Sequence, residues 1–250
     1  MRYTRFAAAA LVMLGVSRLP ALAQQSNAGG ELTAAEFLER VRAPFGQRAW
    51  GRFAGRVTHV RNNETKRVGL ELAVVFGVDD LRARLLLNAS NLYEMHLRHE
   101  NGRLPQVELT LPENEAPEER LFDLGITAQD ITFSFIYWEL RAELPRDDVR
   151  RHVCRVMDLE HPGKGQRARV WFSAEHYFPL RVQWLGADTD EVVRELDVTS
   201  FKKHPDGLWF MKSLKLQGPD WKTMVRFEDA ELHPVTGDAL PEDTTLPPGE

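Results

Sequence analysis

Apolar positions along the chain follow two periods. The helical one comes first: Phe37, Leu38 and Val41 form one stripe of a predicted helix from about Ala34 to about Arg42. Thr33 stands as its N-cap, with Glu36 as the reciprocal partner three residues on. Leu32 and Phe37 are spaced for a hydrophobic staple. Pro44 and Gly46 then stop the helix. The Gly-rich stretch before it, residues 24–31, reads as a loose start.

Beyond that helix the period becomes two. Val68, Leu70, Leu72, Val74 and Phe76 alternate with polar or small neighbours, and Asn62-Asn63 is a turn signal, so residues 53–76 predict a hairpin. Leu81 to Leu87, Tyr93 to Leu97 and Val107 to Leu111 continue the alternation, with Asn101-Gly102 as another turn. The pattern is that of an antiparallel sheet with one wet and one dry face. Residues 112–119 are acidic and Pro-containing. They read as a loop within one domain, although a domain boundary fits the same composition.

Thr127 and Asp130 carry a second cap signature. The apolar run from Asp130 to Trp138 is therefore expected as a helix, though its residue types also suit a strand. Strands resume over residues 149–160, around Val170 and Phe172, and around Leu180, Val182 and Trp184. They continue around Leu196 and Val198, from Phe210 to Leu216, and from Trp221 to Phe227. His161-Pro162-Gly163 and Pro205-Asp206-Gly207 are turns. The total is ten to eleven strands in two runs, each preceded by a helix. An irregular tail follows from Pro234. So many one-sided strands need a cover. Either a sandwich or a curved sheet wrapped around helices provides it, and the second leaves a hydrophobic cavity where helices are few.

Composition narrows the function classes. The chain has 250 residues, 43% apolar, which is enough for one large core and too apolar for disorder. One cysteine, Cys154, excludes an internal disulfide and a Cys-based zinc site. The net charge of −5 argues against nucleic acid. At the N-terminus, Arg2 and Arg5 precede the apolar run Phe6 to Val16 and the small-x-small site Ala21-Leu22-Ala23. This pattern predicts a signal peptide over residues 1–23, with an N-terminal membrane anchor as the alternative. Its removal deletes three arginines and no acid, taking the net charge to −8. Residues 24–250 are expected to form a single domain in an exported, periplasmic protein.

Catalytic motifs are scarce. No nucleophile elbow, metal-binding helix or Gly-rich phosphate loop occurs. His96 and His99 are three apart on a predicted strand and so point to opposite faces, which argues against a metal pair. His152 and Cys154 share a strand face. They read as a half-buried sheet position, with a Cys–His nucleophile as the catalytic alternative. Neither cofactor nor metal is expected, and the protein is expected not to be an enzyme.

Several segments, in order, resemble the outer-membrane lipoprotein-sorting protein family, relatives of the periplasmic carrier LolA and its receptor LolB. Gly125 to Ile131 is similar to the family's Gly-x-(Thr/Ser)-x-x-Asp-(Leu/Ile) helix start, and Phe135 to Trp138 to an apolar helix ending in Trp. His152 to Leu159 resembles a strand with a recurring Cys. Arg169-Val170-Trp171-Phe172 with Phe178-Pro179-Leu180-Arg181 resembles a strand pair. Phe201-Lys202-Lys203 and Gly207 to Phe210 resemble the next hairpin. The likeness covers about residues 104–233.

This resemblance implies a mainly β fold: a strongly curved antiparallel half-barrel with helices closing its concave face. It further implies a carrier of lipoprotein acyl chains or other hydrophobic cargo, loaded by a membrane export complex, with the Asp130–Trp138 segment as lid. The lining residues expected for such a carrier are Phe76, Tyr93, Met95, Phe133, Trp138, Trp184, Phe210 and Phe227, although plain core packing suits each of them equally. A sensor or protein-binding module of the same fold is the alternative function.

Overall fold

The computed structural model describes residues 12–13, 31–42, 49–77, 80–98, 104–111, 117–186, 189–205 and 209–234. The Asn101-Gly102 turn, most of the Pro205-Asp206-Gly207 turn, the tail beyond Pro234 and nearly all of the expected leader lie outside them. From the leader, only β1 (Val12–Met13) is described. It is a two-residue strand opposite Phe210 and Trp209.

Helix α1 spans Ala34–Arg42, as its stripe predicts. The Thr33 backbone N–H donates to the Glu36 carboxylate at 2.8 Å, and the Glu36 N–H donates back to the Thr33 hydroxyl at 3.3 Å. Two donors that the helix leaves unpaired are thereby satisfied.

Five strands follow: β2 (Ala49–Arg61), β3 (Glu64–Phe76), β4 (Asp80–Leu87), β5 (Asn91–Arg98) and β6 (Gln106–Thr110). The β2–β3 turn places Asn62 and Asn63 at positive φ (49° and 66°), the geometry that matches strand twist in a two-residue hairpin. After helices α2 (Pro117–Asp123) and α3 (Ala128–Thr132) come β7 (Glu139–Val149), β8 (His152–Glu160) and β9 (Arg167–Ser173). β10 (Pro179–Leu185), β11 (Val192–Lys203), β12 (Trp209–Gln217) and β13 (Trp221–Pro234) complete the sheet.

All pairings are antiparallel in one open sheet, ordered β6-β5-β4-β3-β2-β13-β12-β11-β10-β9-β8-β7. The sandwich alternative therefore gives way to a single sheet. The first and last long strands, β2 and β13, form the seam between two meanders. The edge strands β6 and β7 are joined by residues 111–138, so this connection must carry the chain from one edge of the sheet to the other. A flat sheet of this order would hold its edges roughly 50 Å apart, given about 4.8 Å per strand.

One core cluster unites the dry strand faces with residues of all the helical segments. Phe53, Leu72, Leu85 and Tyr93 form one buried row across β2 to β5. On the other meander, Phe37 of α1 meets Phe172 of β9 with ring centroids 6.3 Å apart. Arg155 lies 4.6 Å above the Phe37 ring, bonded through two nitrogens to the Glu143 carboxylate at 2.6 Å each.

Three expectations are corrected. The Asp130–Trp138 segment is not one helix: α3 stops at Thr132, Phe133 takes a left-handed conformation (φ 51°), and a single 3₁₀ turn follows over Ser134–Tyr137. Both pieces are buried among aromatic neighbours, which set the break that periodicity did not show. Residues 117–119, assigned to the acidic loop, open α2, while 112–116 lie outside the described residues. β7 was not expected as a strand at all. It is an edge strand with most side chains exposed; Leu140 and Leu144 are half-buried and Val149 is buried, too widely spaced to read as an alternation.

Candidate functional site

The connection between the two sheet edges builds the site. The Thr127 N–H and hydroxyl both donate to Asp130 Oδ2, at 2.7 and 2.9 Å, starting α3. Asp130 is 2% exposed, and its Oδ1 accepts a hydrogen bond from Arg194 of β11. Arg194 in turn lies 4.0 Å above the Trp184 ring. Burial raises the Asp130 carboxyl above its usual range, and the Arg194 charge opposes that rise. This buried pair fixes α3 to the second meander.

The α2–α3 turn is fixed to the seam. Thr223 of β13 donates its hydroxyl proton to the Leu124 carbonyl, and His59 Nδ1 lies 2.8 Å from the same Thr223 oxygen. Gly125 follows at φ 68°, where a Cβ would stand 2.3 Å from the Trp221 ring. Both conformation and space therefore demand glycine. The 3₁₀ turn is tied to α1: Arg42 Nε donates to the Ile136 carbonyl at 2.9 Å, and Arg42 Nη2 to the Trp138 carbonyl at 2.7 Å.

Beside this connection lies a cavity of about 990 Å³. One wall is β6 and its approach, with Leu104, Val107 and Leu109. A second wall comes from α2 and α3, with Leu121, Phe122 and Ile126. The third is Trp138 at the start of β7 together with His161, Lys164 and Gln166 of the β8–β9 turn. Residues from opposite ends of the sheet order thus line one space, which requires the sheet to curve strongly. Gln106, Thr127, Gln129 and Ser134 give the lining a polar share. Phe122 is 74% exposed, a large apolar ring left bare at the cavity.

Of the eight residues expected to line a cavity, Trp138 alone borders this one. Its ring meets that of His161 at 5.4 Å, edge to face. Phe210 and Phe227 pack with Phe53, at 5.7 and 5.3 Å. Phe133 and Trp184 are joined through Phe135, at 5.4 and 5.8 Å. Phe76, Tyr93 and Met95 are buried on β3 and β5. Sequence reasoning missed the β6 residues, Phe122 and Lys164. The available signals were weak: a Lys between two glycines (Gly163, Gly165) and a Leu-Phe pair in an acidic stretch.

The catalytic alternatives find no geometry. Cys154 is fully buried, its Sγ donates to the His152 carbonyl at 3.3 Å, and burial pushes the thiol up. The His152 ring instead faces His176, at 6.4 Å. A thiol held protonated is a poor nucleophile. His96 Nε2 lies 3.1 Å from Asp80 Oδ2, while His99 lies outside the described residues. No cluster of metal-ligating side chains occurs among the described residues. None of their helices is long and apolar enough to cross a membrane.

Neither a family model nor a curated protein matches the chain. Solved structures do. A putative outer-membrane lipoprotein-sorting protein domain from Vibrio parahaemolyticus superposes with a TM-score of 0.62 at 14% identity, over 84% of this chain and 94% of that one. A DUF1329 family protein from Desulfovibrio piger superposes with a TM-score of 0.59 at 12% identity, over 77% and 88%. The fold is that of the outer-membrane lipoprotein-sorting domain. At these identities the likeness concerns the fold.

Proposed function

We propose that this protein is a non-enzymatic periplasmic carrier of hydrophobic cargo, acyl chains of lipoproteins or lipids, acting in outer-membrane lipoprotein sorting. The cavity between the two sheet edges carries the reading. Its size falls at the upper end of the roughly 300–1,000 Å³ of ligand sites. Its walls are part apolar, with Leu104, Val107, Leu109, Leu121, Ile126 and Trp138, and part polar, and the bare Phe122 ring lies among them. Burying an acyl chain gains about 0.8 kcal/mol per methylene, so ten methylenes offer on the order of 8 kcal/mol before ordering costs. In this reading residues 24–250 form one half-barrel domain whose helices close the concave face. Outward movement of α3 and the 3₁₀ turn would add Phe133, Trp184, Tyr93 and Met95 to the lining. Phe76, Phe210 and Phe227, buried in the same core, would follow if the opening widened.

Phe122→Asp tests this reading cleanly, because so exposed a side chain adds little to folding. The variant keeps the wild-type melting temperature and binds a fluorescent fatty acid about tenfold or more weakly, the worth of one buried aromatic ring. Unchanged binding in the folded variant would exclude this cavity as the site.

One observation favours a second reading, a sensor or protein-binding module. Among the described residues β6 pairs only with β5, and it borders the cavity, so its outer backbone edge suits an added peptide strand. A periplasmic pull-down that returns a protein partner, with no acyl ligand on the purified chain, would favour it.

A further inference from the structure

The β8–β9 turn presents charge to the cavity in an unusual way. The His161 N–H donates to the Gln166 carbonyl at 2.8 Å, and the Lys164 N–H to the His161 carbonyl at 3.3 Å, closing a tight loop. Gly163 and Gly165 hold φ of 85° and 62°, with nothing within 4 Å of where a Cβ would stand. Glycine is required there by backbone conformation and not by space. The loop's shape therefore places Lys164 at the cavity.

The neighbouring charges of this hairpin are already paired. Glu160 lies 3.1 Å from Arg141, and Arg167 lies 2.8 Å from Asp158 and 2.9 Å from Asp190. Lys164 forms no ion pair among the described residues. The described cavity lining holds this one lysine and no carboxylate, in a chain whose net charge is −5. His161 adds a fixed polar face. Its Nδ1 lies 2.7 Å from the Pro162 carbonyl, which can only accept, so the proton is on Nδ1 and Nε2 is turned away from that bond.

We propose that the cavity selects an acyl amphiphile with an anionic end, its chain against Val107, Leu109 and Phe122 and its charge at Lys164. The inference rests on the carrier reading and narrows it to a ligand class. The anion is a carboxylate, as in a free fatty acid, or a phosphate, as in a lipid headgroup. A cation lining a partly apolar cavity rewards one charge sign while leaving the chain's contribution unchanged.

The test is displacement of a fluorescent fatty acid from the full chain by three competitors with the same acyl length. They are a free fatty acid, a lysophosphatidylglycerol and a lysophosphatidylcholine. The anionic competitors are expected to bind about 2- to 5-fold more tightly than the zwitterion, the worth of a solvent-accessible ion pair. Added salt shrinks the difference. Lys164→Gln removes the preference and leaves the affinity for the zwitterion unchanged; Lys164→Arg retains it. Preference for the fatty acid assigns a carboxylate, and preference for lysophosphatidylglycerol assigns a phosphate. Equal affinity of wild type for anions and zwitterion overturns the inference while the carrier reading stands, as does a preference that survives in Lys164→Gln. Failure of all three to displace the probe, or of the probe to bind, overturns the carrier reading with it.

Discussion

His59 is 6% exposed on the dry face of β2, bonded to the buried Thr223 hydroxyl. Burial holds its imidazole below the usual value, so the folded chain keeps it neutral. The unfolded chain titrates it near 6.5, the ordinary value for histidine. Below that pH the unfolded state binds the extra proton more readily than the folded state, so stability falls as pH falls. This stability is fully present above about pH 6.5 and erodes on acidification. Urea unfolding at pH 7.5 and 5.5 checks it: His59→Gln should lose part of the pH dependence. An identical pH dependence in that variant would mean that other groups carry it. Polarity alone does not reveal such a residue, because a histidine in alternating sequence reads as a wet-face position.

At the scale of elements, the sequence is legible where one face is dry. The α1 stripe and cap, the Asn62-Asn63 hairpin, and the alternation of β3, β4 and β5 all appear where their periods put them. Legibility fails where tertiary contacts decide. β7 is charged along its length and contains Pro145, devices that protect an edge from unwanted pairing and also erase the alternation. The run from Ile131 to Trp138 is mostly apolar, with Thr132 and Ser134 buried like their aromatic neighbours, and such a run cannot show where Phe133 turns left-handed. The α2–α3 turn depends on Thr223, so Thr223→Val should leave His59 and the Leu124 carbonyl without their partner. The expected cost is about 1–3 kcal/mol. Amide exchange should quicken in residues 121–132 and stay slow in β3 and β4. Uniform acceleration across the sheet would show that this turn is not a separately fixed element.

For the whole molecule, topology explains the site. The chain leaves the sheet at one edge and re-enters at the other, so the connection from β6 to β7 spans the gap between edges, and the cavity lies beside it. The expected lining comes from six strand positions and from Phe133 and Trp138 of the expected lid segment. The cavity's walls come from an edge strand, a short helix and a turn, elements whose meeting depends on sheet curvature and leaves no local pattern. Native mass spectrometry of the chain, purified from cells without detergent, is the most direct test of the carrier reading. The account predicts bound mass from one or more acyl-chain ligands, removable by organic extraction and restored by adding fatty acid. A ligand-free mass, with no uptake of added fatty acid, would contradict it.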